Sequence, residues 1–114
     1  MNTTELILLY DYYGALLTER QRVCFEMRYH QDLSLGEIGE ELGVSRQGVH
    51  DNLSRTEATL RNMEEKTGCV RRDRVCRKAA QVIRNAAQIL QRHEDQQVSD
   101  LAGQILASVQ GLGE

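Results

Sequence analysis

Residues Ser34 to Leu53, SLGEIGEELGVSRQGVHDNL, constrain the chain more than any other stretch, because start and stop signals for two short helices are packed into it. Ser34 followed by Glu37 is a capping box, in which hydroxyl and carboxylate each satisfy a backbone donor at a helix start. Leu35, Ile38 and Leu42 then share one helical face, and Glu37, Glu40 and Glu41 point away from it. Gly43 stands where a left-handed residue ends a helix without a Cβ penalty. Val44 plugs the corner and Ser45 caps a second helix. Gly39 supplies the small side that two steeply crossing helices require.

On that second helix Val49, Leu53, Thr56, Leu60 and Met63 recur at spacings of four and three, which makes one inward stripe. Gln47, Asp51, Ser54 and Ala58 point outward, with His50 and Arg61 on one shoulder and Arg55 on the other. Arg46 lies nearer the stripe, but in the first turn, from which a long side chain reaches past the helix end. These features fit a helix-turn-helix whose second helix enters a major groove. A plain helical hairpin in a bundle uses the same caps and glycines, so the flanking text has to decide between them.

The 114 residues suffice for one domain with a modest core, and a chain this short often finishes burying its surface by oligomerising. There is no Pro, no Trp and one Phe, while Leu, Glu, Gln, Arg and Ala abound, so an all-α fold is predicted. The net charge of -3 and a pI near 5.6 count against strong nonspecific nucleic-acid binding. The N-terminus carries no signal-peptide pattern and no apolar run of membrane-spanning length, so a cytoplasmic protein without membrane insertion is expected. Cys24, Cys69 and Cys76 are odd in number and lack C-x-x-C spacing, which reads as free thiols. His30, His50 and His93 are scattered, so neither a metal site nor a cofactor is predicted.

Upstream, Thr4 to Tyr13 has helical period, with Leu6, Leu9 and Tyr13 on one face and Tyr10 beside it, ending at Gly14. Thr18 opens a further helix with a second capping box closed by Gln21. Val23, Met27 and His30 are expected on its inner side, with Cys24 and Phe25 nearby. HQDLS then connects to the central motif.

The run LLTERQRVCFEMRYHQDLSLGEIGEELGVSRQGVHDNLSRTEATL resembles the fourth region of bacterial sigma factors, whose helix-turn-helix reads promoter DNA. It resembles still more closely the YlxM family of small bacterial helix-turn-helix proteins, through LYDYYGALLTERQR, DLSLGEIGEELGVSRQ, DNLSRTEATL and EEKTG. The match runs from about Leu6 to Gly68; beyond it only length and helicity agree. The resemblance implies a cytoplasmic, all-helical homodimer with a sigma region 4-like module that regulates through DNA. It also implies an accessory role beside components of the signal recognition particle pathway, a link that rests on gene neighbourhood. Carried over by position, Ser45, Arg46, Gln47, His50, Asp51, Ser54 and Arg55 are the DNA-binding set. Arg46 suits a phosphate or a guanine edge, Gln47 an adenine, and Asp51 a cytosine amino group. Gly48 and His50 depart from the Ala and Tyr expected there. Charge opposes strong binding: from Ser34 to Arg55, Glu37, Glu40, Glu41 and Asp51 outnumber Arg46 and Arg55. Two copies on a palindromic site would offset that weakness.

The helix-turn-helix domain is thus expected over 1–67 and a C-terminal helical extension over 68–114. In the extension, Arg71, Arg72 and Arg74 belong to the only basic block, read as an auxiliary nucleic-acid contact, RNA included, or as the solvated face of a packed helix. Val75, Ala79, Val82, Ala86 and Ile89 form one stripe. Val98, Leu101, Ile105, Val109 and Leu112 form a last apolar face. A turn over Gln91 to Gln97 is expected to make these a hairpin, with one long helix as the alternative, and the hairpin is either a dimerisation or partner surface or part of an internal core. GLGE at the end is expected to fray. No paired carboxylates, Cys-His dyad, phosphate loop or metal cluster can be assembled from the spacings, so no catalytic residue is predicted and the protein is not expected to be an enzyme. The competing function is an adaptor that binds protein or RNA through the helical fold.

Overall fold

The computed structural model describes residues 2–112 and is all-helical across them, as the composition predicts. Six α-helices follow in order: α1 (Thr3–Tyr13), α2 (Glu19–Tyr29), α3 (Leu35–Leu42), α4 (Arg46–Thr67), α5 (Cys69–Leu90) and α6 (Gln96–Val109), with a 3₁₀ turn at Gly14–Leu16. The chain divides into two compact units, one ending at Gly68 and the other beginning at Cys69.

In the first unit α4 is the common partner of α1, α2 and α3. Its inward stripe is as the periodicity predicts: Val49, Thr56 and Leu60 are fully buried, and Leu53 and Met63 half-buried. Thr56 is tolerated in that core because its hydroxyl donates to the Asn52 carbonyl at 2.9 Å, leaving no orphan. Below the helix-turn-helix, Cys24, Ile38 and Val49 form a buried cluster against which Met27, Leu33, Leu35, Leu42 and Leu53 pack. Burial pushes the Cys24 thiol pKa up, so this cysteine is a small apolar filler with little nucleophilic character.

A second part of the core joins α1 to α2 and α4. Leu6, Leu9, Tyr10 and Tyr13 are buried as the α1 pattern predicts. Tyr10 stacks on Phe25 with centroids 4.3 Å apart, and Phe25 meets Tyr29 at 4.6 Å. Tyr13 donates to Glu64 Oε1 at 2.6 Å, which ties the end of α1 to the end of α4. The inner arc of α2 is rotated from the sequence expectation: Cys24 and Phe25 are its buried residues, Val23 and Met27 are half-buried, and His30 is exposed. α2 has α1 on one side and α3 and α4 on another, so the residues between those neighbours become the deepest.

In the second unit α5 and α6 form an antiparallel hairpin. Its turn spans 91–95, and Asp95 caps α6 by accepting from the Gln97 N–H at 2.8 Å. Arg84 closes the far end by donating to the Val109 and Leu112 carbonyls, both at 3.2 Å. Small residues set the contact: Ala80 and Ala87 of α5 and Ala102 of α6 are buried, together with Val109. The stripe Val75, Ala79, Val82, Ala86 and Ile89 faces outward instead, and Leu101, Ile105 and Leu112 are exposed as well. In the frayed end expected at GLGE, Gly113 and Glu114 lie outside the described residues.

Candidate nucleic-acid interface

The geometry of the helix-turn-helix comes from local rules that the sequence carries. Ser34 accepts from the Glu37 N–H at 3.1 Å, and Glu37 Oε1 accepts from the Ser34 N–H at 3.0 Å, so both halves of the capping box form. Those bonds hold the Glu37 carboxyl below the usual carboxylate range, the Ser34 backbone N–H contributing most. Gly43 ends α3 in the left-handed region at φ 71°, and Ser45 caps α4 by accepting from the Gly48 N–H at 3.0 Å. A Cβ on Gly39 would stand 2.6 Å from the Val44 carbonyl oxygen, so the crossing of α3 over the turn requires glycine.

One face of the first three turns of α4 is left exposed by this arrangement. Ser45, Arg46, Gln47, His50, Asp51, Ser54 and Arg55 are all exposed there. Asp51 sits at the centre: Gln47 Nε2 donates to its Oδ1 at 3.0 Å, and His50 Nδ1 lies 3.6 Å from the same oxygen. The Gln47 amide and the Asp51 carboxylate therefore present one paired polar edge, with the Gln47 carbonyl still open as an acceptor.

Two clefts flank this face. One, of about 370 Å³, is lined by Leu35, Arg46, Gln47 and His50 on the α3 side. The other, of about 410 Å³, is lined by Thr18, Arg20 and Gln21 from the start of α2 and by Gly48, Asp51, Asn52 and Arg55 of α4. Arg20 was not in the sequence-derived set, because α2 is remote in the chain and only packing brings its start beside α4. The sequence signal was the capping box at Thr18, which marks a helix start two residues before Arg20.

The arginines of this unit divide into two groups. Arg22 donates to the Leu17 carbonyl at 3.0 Å and Arg28 to the Leu33 carbonyl at 3.0 Å, so both are committed to the fold. Arg61 pairs with Glu57 one turn away. Arg20, Arg46 and Arg55 make no ion pair among the described residues, and they stand on the two shoulders of the exposed α4 face. Most of the acidic excess lies elsewhere: Glu37, Glu40 and Glu41 line a separate cleft on α3 with Leu33. Of the auxiliary set, Arg71, Arg72 and Arg74 are exposed on the first turns of α5. Arg71 and Arg72 already have partners. No group of His, Cys, Asp and Glu among the described residues could hold a metal ion. No helix among them is long and apolar enough to cross a membrane.

Residues 1–101 match the model of a family, UPF0122, described as "Putative helix-turn-helix protein, YlxM / p13 like". The chain belongs to the YlxM / p13-like family. A family protein of Thermoanaerobacter sp. (strain X514) is 43% identical over 108 residues, covering 94% of this chain and 92% of that one. One of Desulforamulus reducens is 62% identical over 63 residues, 55% of this chain and 54% of its own. One of Bacillus cereus (strain AH187) is 55% identical over 64 residues, 56% of this chain and 58% of its own. YlxM-like identity is thus higher over the shorter alignments, each of which spans little more than half of the chain.

Proposed function

We propose that this chain is a DNA-binding regulatory protein that lays the N-terminal half of α4 in a major groove. The observation that carries this is the arrangement of unspent cations: Arg46 on one shoulder and Arg20 with Arg55 on the other, flanking a polar edge built from Gln47, His50 and Asp51. Arginines so placed suit the two phosphate strands that border a groove, and the edge between them suits base atoms. Three cations per module give modest affinity, and Asp51 subtracts from it, so tight binding calls for two copies on a palindromic site. An accessory role in the signal recognition particle pathway is carried by the family resemblance alone. A second reading, an adaptor for protein or RNA, is favoured by the acidic cleft of Glu37, Glu40 and Glu41, which repels phosphate.

The deciding experiment presents purified protein with a pool of genomic DNA fragments, sequences those retained, and follows their affinity across salt concentration. Enrichment of a palindrome is expected. Arg46→Ala and Gln47→Ala should each weaken binding to that site by roughly 5- to 100-fold, the range of one lost specific contact, with unchanged melting temperature. Retention without enrichment, or equal binding by both variants, would sink the groove assignment. Absence of retention would favour the adaptor.

A further inference from the structure

Gln47 and Asp51 stand one turn apart on the exposed face of α4, and the hydrogen bond from Gln47 Nε2 to Asp51 Oδ1 draws the two side-chain ends to 3.0 Å. Base pairs in a duplex stack about 3.4 Å apart, so the joined ends match two neighbouring pairs. The bond also sorts the atoms that remain. Asp51 Oδ1 takes the Gln47 amide and has His50 Nδ1 at 3.6 Å, whereas Oδ2 has no partner among the described residues and the side chain is 54% exposed. On Gln47 the carbonyl and the second amide hydrogen are open. The edge thus offers an acceptor and a donor from Gln47, and next to them an acceptor alone from Asp51. Arg55 lines the same cleft as Asp51 and makes no ion pair with it, so the carboxylate keeps its charge toward whatever faces α4.

We infer, resting on the groove reading of α4, that Asp51 fixes base identity by accepting the amino group of a cytosine placed beside an adenine that Gln47 reads. The chemistry of the base edges selects that pair. In the major groove guanine shows two acceptors, and thymine an acceptor beside a methyl group, so an ionised carboxylate finds no donor on either. Adenine offers an amino group, but its N7 acceptor lies next to it, where the carboxylate has no proton to give. Cytosine offers an amino group with no acceptor on its own edge. Gln47, with one carbonyl and one free N–H, complements the amino group and N7 of adenine instead. A carboxylate in the middle of a surface that faces phosphates weakens binding to every sequence alike, and what it contributes is rejection of the wrong bases. The bond to Gln47 holds it in place before DNA arrives, which lowers the ordering cost of that contact.

The test uses the full chain and the fragment enriched from the genomic pool. Each of the four base pairs is placed in turn at each position of that fragment, and wild type, Asp51→Asn, Asp51→Ala and Gln47→Ala are titrated on the set. Wild type should prefer cytosine at one position by roughly 5- to 100-fold, the range of one base contact. Asp51→Asn keeps an acceptor for Gln47 and the shape of the side chain but replaces the open acceptor with a donor, so the preference at that position should move to adenine while the others stay. Gln47→Ala should relax the adjacent position. Asp51→Ala should lose the cytosine preference and bind unrelated fragments more tightly than wild type, because it removes a repelling charge and no contact to them. If Asp51 only stabilises the helix through its bond to Gln47, the variants will change melting temperature and leave every base preference in place. That result would overturn the inference and leave α4 in the groove, as would a wild-type preference for guanine or thymine at the position that responds to Asp51. A wild-type chain that enriches no sequence would overturn the groove reading and this inference together.

Discussion

Tyr10 shows how one side chain joins packing to titration. Its ring stacks on Phe25 and its hydroxyl donates to Glu26 Oε1 at 2.8 Å. Burial first, then the hydrogen bond to Glu26 and that residue's charge, push its pKa up to about 12 from an ordinary 10.0. The folded state therefore favours the neutral phenol. Its contribution is fully present below pH 10 and is lost as pH rises through about 12. Tyr29 is shifted in the same direction, chiefly by burial, so the useful quantity is the difference between wild type and Tyr10→Phe. Denaturant unfolding followed from pH 8 upward should show that difference constant at first and then shrinking in the variant's favour as the wild type ionises. Parallel curves throughout would mean that the hydroxyl titrates as it does in the unfolded chain.

Among the elements, α4 bears both the core stripe and the candidate interface, and Gly48 in its first turn is the weakest link in its helicity. A methyl group there would meet Ser45 Oγ at 3.2 Å and Val44 Cβ at 3.9 Å, side-chain atoms that can give by a few tenths of an ångström. Glycine costs a helix about 1 kcal/mol relative to alanine, so Gly48→Ala should raise stability by about 0.5 to 1 kcal/mol. A lower midpoint in urea would mean that the Ser45 cap is displaced instead. Much of the first unit was legible for reasons this local: capping boxes at Thr18 and Ser34, a left-handed stop at Gly43, a forced glycine at Gly39, and a period that sorts Val49, Thr56 and Leu60 inward. Less was legible where partners decide. The rotation of α2 onto Cys24 and Phe25 depends on which helices flank it. Arg20 comes beside Arg55 only through the packing of α2 on α4. The stripe of α5 was correct as a period and silent about which way it faces, because Ala80 and Ala87 beside it let α6 approach on another side.

At the scale of the whole molecule, a net charge of -3 has to be reconciled with the polyanionic ligand proposed for α4. Placement answers part of this, since the acidic cleft lies on α3 and the unpaired arginines border the exposed part of α4. Number answers the rest. If each module lends Arg20, Arg46 and Arg55 to phosphates, about three counterions are released per copy, and the slope of log affinity against log salt is about -2.7 for one module and about twice that for two held together. Arg55→Ala should lower the slope by about 0.9 for each module on the fragment, one lost phosphate contact apiece. Titrations of the wild type and Arg55→Ala on one fragment across a salt series measure that change. An unchanged slope would mean that Arg55 touches no phosphate, and that the cleft it lines with Arg20 lies off the path of the strand.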